Sequence, residues 1–279
     1  VAPRALRGIL PPLSERAYAC LSGHASWFGV IVDGNGDLRA QPHRGTSKPL
    51  YLFRPGEYEK ELGALKPVQL LLNGELPILF SLHAGAARSL ELLHFVEPGD
   101  PASNPVVWTR ALVRDNDSGA VLREELLLLG LEMDEACSAV PAEAFWDAFA
   151  GAARYWQRFL DGLARLDLPE PALVTALRGC MGTMATTFTA DHPHYGHGVY
   201  GWEIHDHFPP TFLTAMEACA ALGQLSYARR MLEHMLNYAI DESGRFCYRQ
   251  GARHENGAAA SEYCQFLWMV ERYAGLLPP

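Results

Sequence analysis

The first half of the chain carries short apolar runs separated by Gly, Asn, Asp and Pro, a pattern typical of β-strands. One pair of runs flanks Asp33-Gly34-Asn35-Gly36 and a second pair flanks Asn73-Gly74, so each pair predicts a hairpin. Three further runs follow at residues 87–98, 105–115 and 121–132. The leucines at 126–129 would also fit a helix. The spacing predicts an antiparallel β-sandwich as a first domain, over residues 1–138.

No catalytic arrangement is predicted within this first domain. Its titratable side chains fit cross-strand or surface positions, and the relevant residues are His83, His94 and Glu97. Function is therefore sought in the second half of the chain.

From about residue 140 the apolar residues recur at helical spacing instead. Pro141 suits the first turn of a helix. One apolar face follows it at i, i+4 and i+7 spacing, formed by Phe145, Phe149, Trp156, Phe159, Leu160 and Leu163. Four more helices are predicted: one from near Pro171, one over 211–223, one capped by Ser226 and one over about 258–274. These helices form a second domain of α-helical hairpins over residues 139–279.

The connections between the predicted helices alternate in length. Short connections around Leu168-Pro169 and Gly223-Gln224 join the first helix to the second and the third to the fourth. The other two connections, about 190–208 and 241–257, are long. Because successive antiparallel helices place alternate connections at opposite ends, both long connections should share one end. That end is the candidate site.

Inner and outer helices alternate as well. The third helix is rich in small residues, among them Ala215 and Ala218, and small residues let helices crowd around a central axis. The fourth helix carries Arg229, Arg230 and Glu233, which fit a solvated outer face. This alternation is the plan of an α/α toroid.

The long connection HPHYGHGVYGWEIHDHFPPTF, residues 192–212, holds most of the chain's candidate chemistry. It contains five of the eleven histidines, with Tyr195, Tyr200, Trp202, Glu203 and Asp206. No apolar period runs through it, so it is predicted to be a loop, and long loops between regular elements often carry function. The alternative interpretation is a solvated connector between two helices.

The amino-acid composition argues against two classes of binding partner. With 23 Lys and Arg against 32 Asp and Glu, the net charge is −9, and no basic run occurs, which argues against nucleic acid and anionic membrane surfaces. No apolar run has the length of a membrane span. The six cysteines form no CxxC pair, and no cofactor is predicted. Cys180, Cys219 and Cys264 fit apolar helical faces, which favours a reduced, cytoplasmic setting, although the even number leaves disulfides open.

A predicted sandwich followed by helical hairpins, with Tyr200-Gly201-Trp202-Glu203 leading into Phe212, resembles the six-hairpin glycosidases. That superfamily includes glucoamylases, trehalases, α-L-rhamnosidases and the maltose-phosphorylase group. The Trp-Glu pair shortly before Phe and Thr is similar to the glucoamylase general-acid loop. The resemblance in organisation covers roughly residues 20–279. It implies an α+β fold, a sandwich followed by part of an (α/α)6 toroid, and a glycoside hydrolase acting on oligo- or polysaccharide.

On this resemblance, Glu203 matches the general acid and Trp202 a sugar-stacking platform. A carboxyl beside Trp and low-dielectric walls can hold its proton near neutral pH, as protonation of a glycosidic oxygen requires. Asp206 is the other predicted catalytic residue, and either it or His205 would contact hydroxyls. The predicted substrate-binding residues are Tyr195, His197, Tyr200, Trp202, His205, His207, Arg249 and Arg253. An alternative role for Glu203 is a helix N-terminal carboxylate favoured by the dipole.

The chain departs from the resemblance in its number of helices. Six hairpins need twelve helices, five are predicted, and in inverting members the second carboxylate comes from the later half. Three explanations are open: a fragment of a longer gene product, a second chain that completes the toroid, or decay of the hydrolase to a binding role. A fragment or separately encoded piece is favoured. The first residues, VAPRALRG, also suggest a processed, trimmed or internal start.

Three other functions compete with a glycoside hydrolase. A polysaccharide lyase would use Tyr200, His197 or His205 to move the C5 proton and Arg249 to neutralise a uronate, but the net charge disfavours an acidic polysaccharide. A non-catalytic carbohydrate-binding module is the second. The third is a metal site at His205-x-His207 with Asp206, and no metal is expected because an ordered spacing such as HExxH is missing.

Overall fold

A computed structural model describes residues 18–21, 28–42, 50–56, 58, 62, 67–99, 106–130, 137–189, 192–193, 209–244, 246 and 260–276. These residues form antiparallel sheets of four and six strands, a two-stranded ribbon and five α-helices, so the protein belongs to the α+β class. The strands are β1 Tyr18–Cys20, β2 Phe28–Asp33, β3 Leu38–Pro42, β4 Leu50–Phe53, β5 Val68–Leu72, β6 Leu76–Ala84, β7 Arg88–Val96, β8 Val107–Asp115, β9 Val121–Leu129, β10 Cys137–Ala139, β11 Phe188–Thr189 and β12 His192–Pro193. The helices are α1 Ala142–Asp161, α2 Pro171–Thr187, α3 Pro209–Ala221, α4 Leu225–Tyr238 and α5 Ala260–Tyr273, and a 3₁₀ turn Ala274–Leu276 follows.

Each of the two larger sheets is a meander in which neighbouring strands follow one another along the chain. The orders are β1-β2-β3-β4 and β10-β9-β8-β7-β6-β5. Both predicted hairpins are present. The carboxylate of Asp33 accepts the backbone N–H groups of Asn35 and Asp37 at 2.9 and 3.1 Å and so closes the first turn. Asn73 and Gly74 have φ of 56° and 78°, the left-handed conformation that these two residue types adopt most readily.

The central strands of the six-stranded sheet are covered on both faces. On its inner face Leu79, Val96 and Val107 share a core with apolar residues of the four-stranded sheet. Their chain neighbours Ile78, Phe95 and Trp108 point to the outer face and pack against α1 through Phe145 and Ala152. Because both of its faces are buried, β6 is a nearly continuous apolar run. The same fact explains the leucines of 126–129, which lie in β9 and face both cores.

The five helices share a second core, to which Leu76 of β6 also belongs. Trp156 and Leu160 of α1, Phe212 and Met216 of α3 and Met231 of α4 all belong to it. Helices α3 and α4 are antiparallel, because the ring of Phe212, near the start of α3, stacks on His234, near the end of α4. No helix among the described residues is both long and apolar enough to cross a membrane.

Helix α2 lies directly on the β5–β6 turn. A β-carbon at Gly179 would stand 3.2 Å from the carbonyl oxygen of Gly74, and one at Gly182 would stand 3.2 Å from that of Glu75. Arg178 immediately precedes Gly179, and its guanidinium donates to both carboxylate oxygens of Glu75, at 2.7 and 3.3 Å. The two glycines therefore permit a close approach that the ion pair then stabilises.

Two details of the sequence interpretation are wrong. Ser226 is the second residue of α4 and not its cap, because Gln224 occupies the N-cap position in a tight turn after Gly223. Cys219 is buried as expected, but Cys180 and Cys264 are exposed on α2 and α5.

Candidate functional site

The helix connections define two ends of the helical layer. The backbone N–H of Ala164 donates to the carbonyl of Leu222 at 2.9 Å, so the connections that follow α1 and α3 touch each other. Since α3 and α4 are antiparallel, the start of α3 and the end of α4 lie at the opposite end. Helix α2 contacts the C-terminal end of α1 through Arg178, whose guanidinium donates to the carbonyl of Leu160 at 3.0 Å. Helix α2 then continues to Thr187.

Described residues fix the flanks of both long connections at this opposite end. The ribbon of β11 and β12 follows α2 directly, and β12 contacts α4. Beyond the end of α4, Ile240 and Phe246 form an isolated antiparallel bridge. The backbone N–H of Phe246 donates to the hydroxyl of Tyr263 in α5 at 2.8 Å, and Phe246 is buried. The described residues that border segments 194–208 and 247–259 therefore lie at one end of the helical layer.

The predicted catalytic and substrate-binding residues belong to these two segments. All of them lie outside the described residues: Tyr195, His197, Tyr200, Trp202, Glu203, His205, Asp206, His207, Arg249 and Arg253. Their roles stay predictions.

A groove of about 500 Å³ lies between the outer face of the six-stranded sheet and α1. The sheet contributes Glu97 and Trp108, and α1 contributes Asp147 and Tyr155. The remaining lining residues are small or apolar and comprise Pro98, Ala144, Ala148, Gly151 and Ala152. A cavity of this volume falls in the range that holds small organic ligands.

The sheet side of the groove is held rigidly. The indole N–H of Trp108 donates to Oε2 of Glu97 at 3.1 Å. The Trp108 ring lies parallel to that of Phe95, with an interplanar angle of 3° and centroids 6.2 Å apart, and its edge meets Phe145. Glu97 itself is exposed. Its carboxylate is therefore oriented by a buried indole while one side faces solvent.

The helix side of the groove is open because its side chains are small. Ala144, Ala148 and Gly151 recur at i, i+4 and i+7, so they lie on one face of α1. A β-carbon at Gly151 would have no atom within 4 Å. Asp147 and Tyr155 flank this face, and burial raises the pKa of the Tyr155 phenol against the lowering effect of Arg230. The phenol is thus a hydrogen-bond donor at neutral pH.

The charged side chains that line the groove are acidic, and both are exposed to solvent. Among the described residues, neither Glu97 nor Asp147 forms an ion pair. The lining contains two carboxylates and no Lys, Arg or His. Glu97 is exposed, which agrees with the expectation of a cross-strand or surface group, but its position across the groove from Asp147 was not predicted. The small-residue spacing on α1 was the signal available.

Two imidazoles lie in the core between the sheets and not in a groove. His94 is fully buried, and its Nδ1 is 2.9 Å from the hydroxyl of Thr109, its cross-strand neighbour. Its ring meets the ring of Phe53 edge-on, with centroids 5.6 Å apart. Burial, and then the charge of the nearby His83, lowers the pKa of His94 to about 3. This environment fits a neutral structural imidazole in a cross-strand pair.

No group of three His, Cys, Asp or Glu side chains able to hold a metal ion occurs in the described part of the chain. Comparisons with protein-family models, curated proteins and solved structures give no match to this chain. Function is therefore inferred from the residues and geometry of this chain alone.

Proposed function

We propose that the protein is a carbohydrate-active enzyme of the glycoside hydrolase class, acting on an oligo- or polysaccharide. Its site would lie at the end of the helical layer where residues 194–208 and 247–259 attach. The observation that carries this proposal is the contact of Ala164 with Leu222, which leaves both long connections to the opposite end. We infer that these connections would bring aromatic, carboxylate, imidazole and guanidinium groups of the sequence together there.

The packing of the helices supports the proposal. Helix α3 contacts both α4 and α5, and its buried residues include Phe212, Met216 and Cys219. Helix α4 exposes Arg229 and Arg230 on its other side. An inner helix beside a solvated outer helix is what a toroid of hairpins needs. We accordingly propose a β-sandwich domain over residues 1–138, followed by part of an α/α toroid over residues 139–279.

The proposed chemistry follows from the residue types. Glu203 would protonate the glycosidic oxygen, since an alkoxide is a poor leaving group without a proton. Trp202 would cover the apolar face of a pyranose ring, and Asp206, His205 or Arg249 would take hydroxyl groups. We assign no residue to the carboxylate that activates water in an inverting mechanism.

The test is sugar release from a panel of aryl glycosides and oligosaccharides. Native protein would be compared with Glu203→Gln and with the matched control Glu233→Gln, a carboxylate on the outer face of α4 that pairs with Arg229 at 2.8 Å. We expect turnover in the native and control proteins and its loss in Glu203→Gln. Turnover that survives in Glu203→Gln would refute the general-acid role and favour a lyase using Tyr200 or His205. Sugar binding without turnover in the native protein would identify a binding module.

A further inference from the structure

A row of polar side chains crosses the inner face of the six-stranded sheet. Gln69 of β5 lies directly opposite Ser81 of β6. His94 of β7 is the diagonal neighbour of Ser81, because it lies opposite Leu79, two residues before Ser81 on the same face. Thr109 of β8 extends the row through its contact with His94. The four polar side chains of this row are at most 6% exposed, so the row lies deep in the core.

Contacts with the four-stranded sheet show which way these side chains point. Nε2 of Gln69 donates to the backbone carbonyl of Asp33, at the end of β2, at 2.9 Å. The His94 ring meets the ring of Phe53 in β4. The polar row therefore lies between the two larger sheets and is bonded to both of them.

Three adjacent atoms of the polar row have no hydrogen-bond partner among the described residues, although each is shielded from solvent. They are Oε1 of Gln69, Oγ of Ser81 and Nε2 of His94. A polar atom left unpaired in a core is strongly unfavourable, and native proteins pair the great majority of such atoms with protein groups or ordered water. Three neighbouring atoms with unused hydrogen-bonding capacity point to one shared ligand.

We propose that Gln69, Ser81 and His94 bind one ordered water molecule between the sheets. In this arrangement Oε1 of Gln69 accepts a hydrogen bond from the water, while the Ser81 hydroxyl and the His94 ring nitrogen each donate or accept one. Three such bonds are typical of a buried water molecule. Because Gln69 is also bonded to Asp33, the water connects the two sheets. The proposal does not depend on the hydrolase function.

The chemistry of the polar row decides among the classes of ligand. The row offers one amide oxygen, one hydroxyl and one imidazole to a ligand. A divalent metal ion prefers carboxylates or several imidazoles, which these three groups do not supply. A charged organic group would enter a core in which the row offers it no opposite charge. Water needs both donors and acceptors in a polar setting, and the row provides them.

The experiment is oxygen-17 magnetic relaxation dispersion on the full chain, which counts water molecules that stay bound long enough to tumble with the protein. Native protein would be compared with Ser81→Val, whose methyl groups replace the hydroxyl and fill the space beside it. Gln69→Leu removes a different partner of the water and is an independent second variant. The matched control is Thr186→Val, because the Thr186 hydroxyl is equally buried but already donates to the carbonyl of Thr183 at 2.7 Å.

We expect the native protein to hold one more long-lived water molecule than Ser81→Val or Gln69→Leu, and the Thr186→Val control to match the native protein. Urea unfolding of Ser81→Ala gives a second readout. Loss of a bonded hydroxyl should raise the equilibrium constant for unfolding about fivefold, whereas loss of an unpaired hydroxyl would lower it. Equal numbers of long-lived water molecules in native protein and both variants would overturn the proposal. The same holds for an equal loss in the control, or for a lower unfolding constant in Ser81→Ala.

Discussion

The buried imidazole of His94 makes the stability of the fold depend on pH in a calculable way. In the folded protein its pKa is about 3, against an ordinary value of 6.5. Between these values the unfolded chain binds a proton at this position and the folded chain does not. Stability from this group is therefore fully present above pH 6.5 and is lost progressively as the pH falls toward 3. Integrated over that window the loss reaches about 5 kcal/mol, or about 1.4 kcal/mol per pH unit below pH 6.

The perturbation that tests this is His94→Gln, which keeps a polar partner for Thr109 but removes the titrating group. Urea unfolding, followed by circular dichroism at several pH values between 7 and 4, gives the free energy of unfolding of native protein and variant. The readout is the slope of the free energy of unfolding against pH, which a constant difference in stability at pH 7 does not change. We expect the slope between pH 6 and 4 to fall by about 1.4 kcal/mol per pH unit in the variant.

Carboxylates also titrate in this range, but they do so in both proteins, and the difference between the slopes isolates His94. The matched control is Thr109→Ser, which keeps the hydroxyl beside Nδ1 and the buried imidazole and should retain the native slope. Equal slopes in native protein and His94→Gln would refute the reasoning, because they would mean that His94 takes up its proton as easily in the folded chain as in the unfolded one.

Three further predictions concern packing and cysteine reactivity, the first two measured by urea unfolding. Gly182→Ala should lose about 1–3 kcal/mol because its β-carbon would press on the β5–β6 turn, whereas Gly151→Ala, with open space around it, should gain roughly 0.5–1 kcal/mol. Arg178→Met should lose about 2 kcal/mol because it leaves the largely buried Glu75 carboxylate without its partner, and the exposed pair broken in Arg229→Met should cost less than about 0.5 kcal/mol. Burial raises the pKa of the Cys219 thiol to about 12, so peptide mass spectrometry after brief alkylation at pH 8 should find it unmodified. The same experiment should find label on the exposed thiols of Cys137, Cys180 and Cys264.

Local chemistry made much of the fold predictable. The Asp33 and Asn73-Gly74 turns are specified by side chains within a few residues, and both occur where the sequence places them. The apolar face of α1 is likewise a local pattern, and its Phe145, Trp156 and Leu160 are buried. The leucines of 126–129 were ambiguous because a run without alternation fits a buried helix or a strand covered on both faces. Only the presence of α1 on the outer face decides between them.

The groove could not be predicted in the same way. Glu97 follows β7 and Asp147 lies in α1, so their proximity arises from the docking of a helix on a sheet, which no local pattern records. The exposure of Cys180 and Cys264 has a similar cause. An apolar helical face indicates that something can cover it, but the coverage itself depends on neighbours that are distant in sequence.

Three of the described histidines are buried, which limits where the proposed substrate site could find an imidazole. His83 and His94 lie between the sheets, and His234 lies under Phe212 in the helical core, each less than 5% exposed. A ligand in solution can reach none of these three without opening a core. A histidine that contacts a substrate would therefore be one of the other eight. Five of these lie within residues 192–207. If the proposed site is correct, we expect substitution of His205 to abolish activity and His94→Gln to retain it.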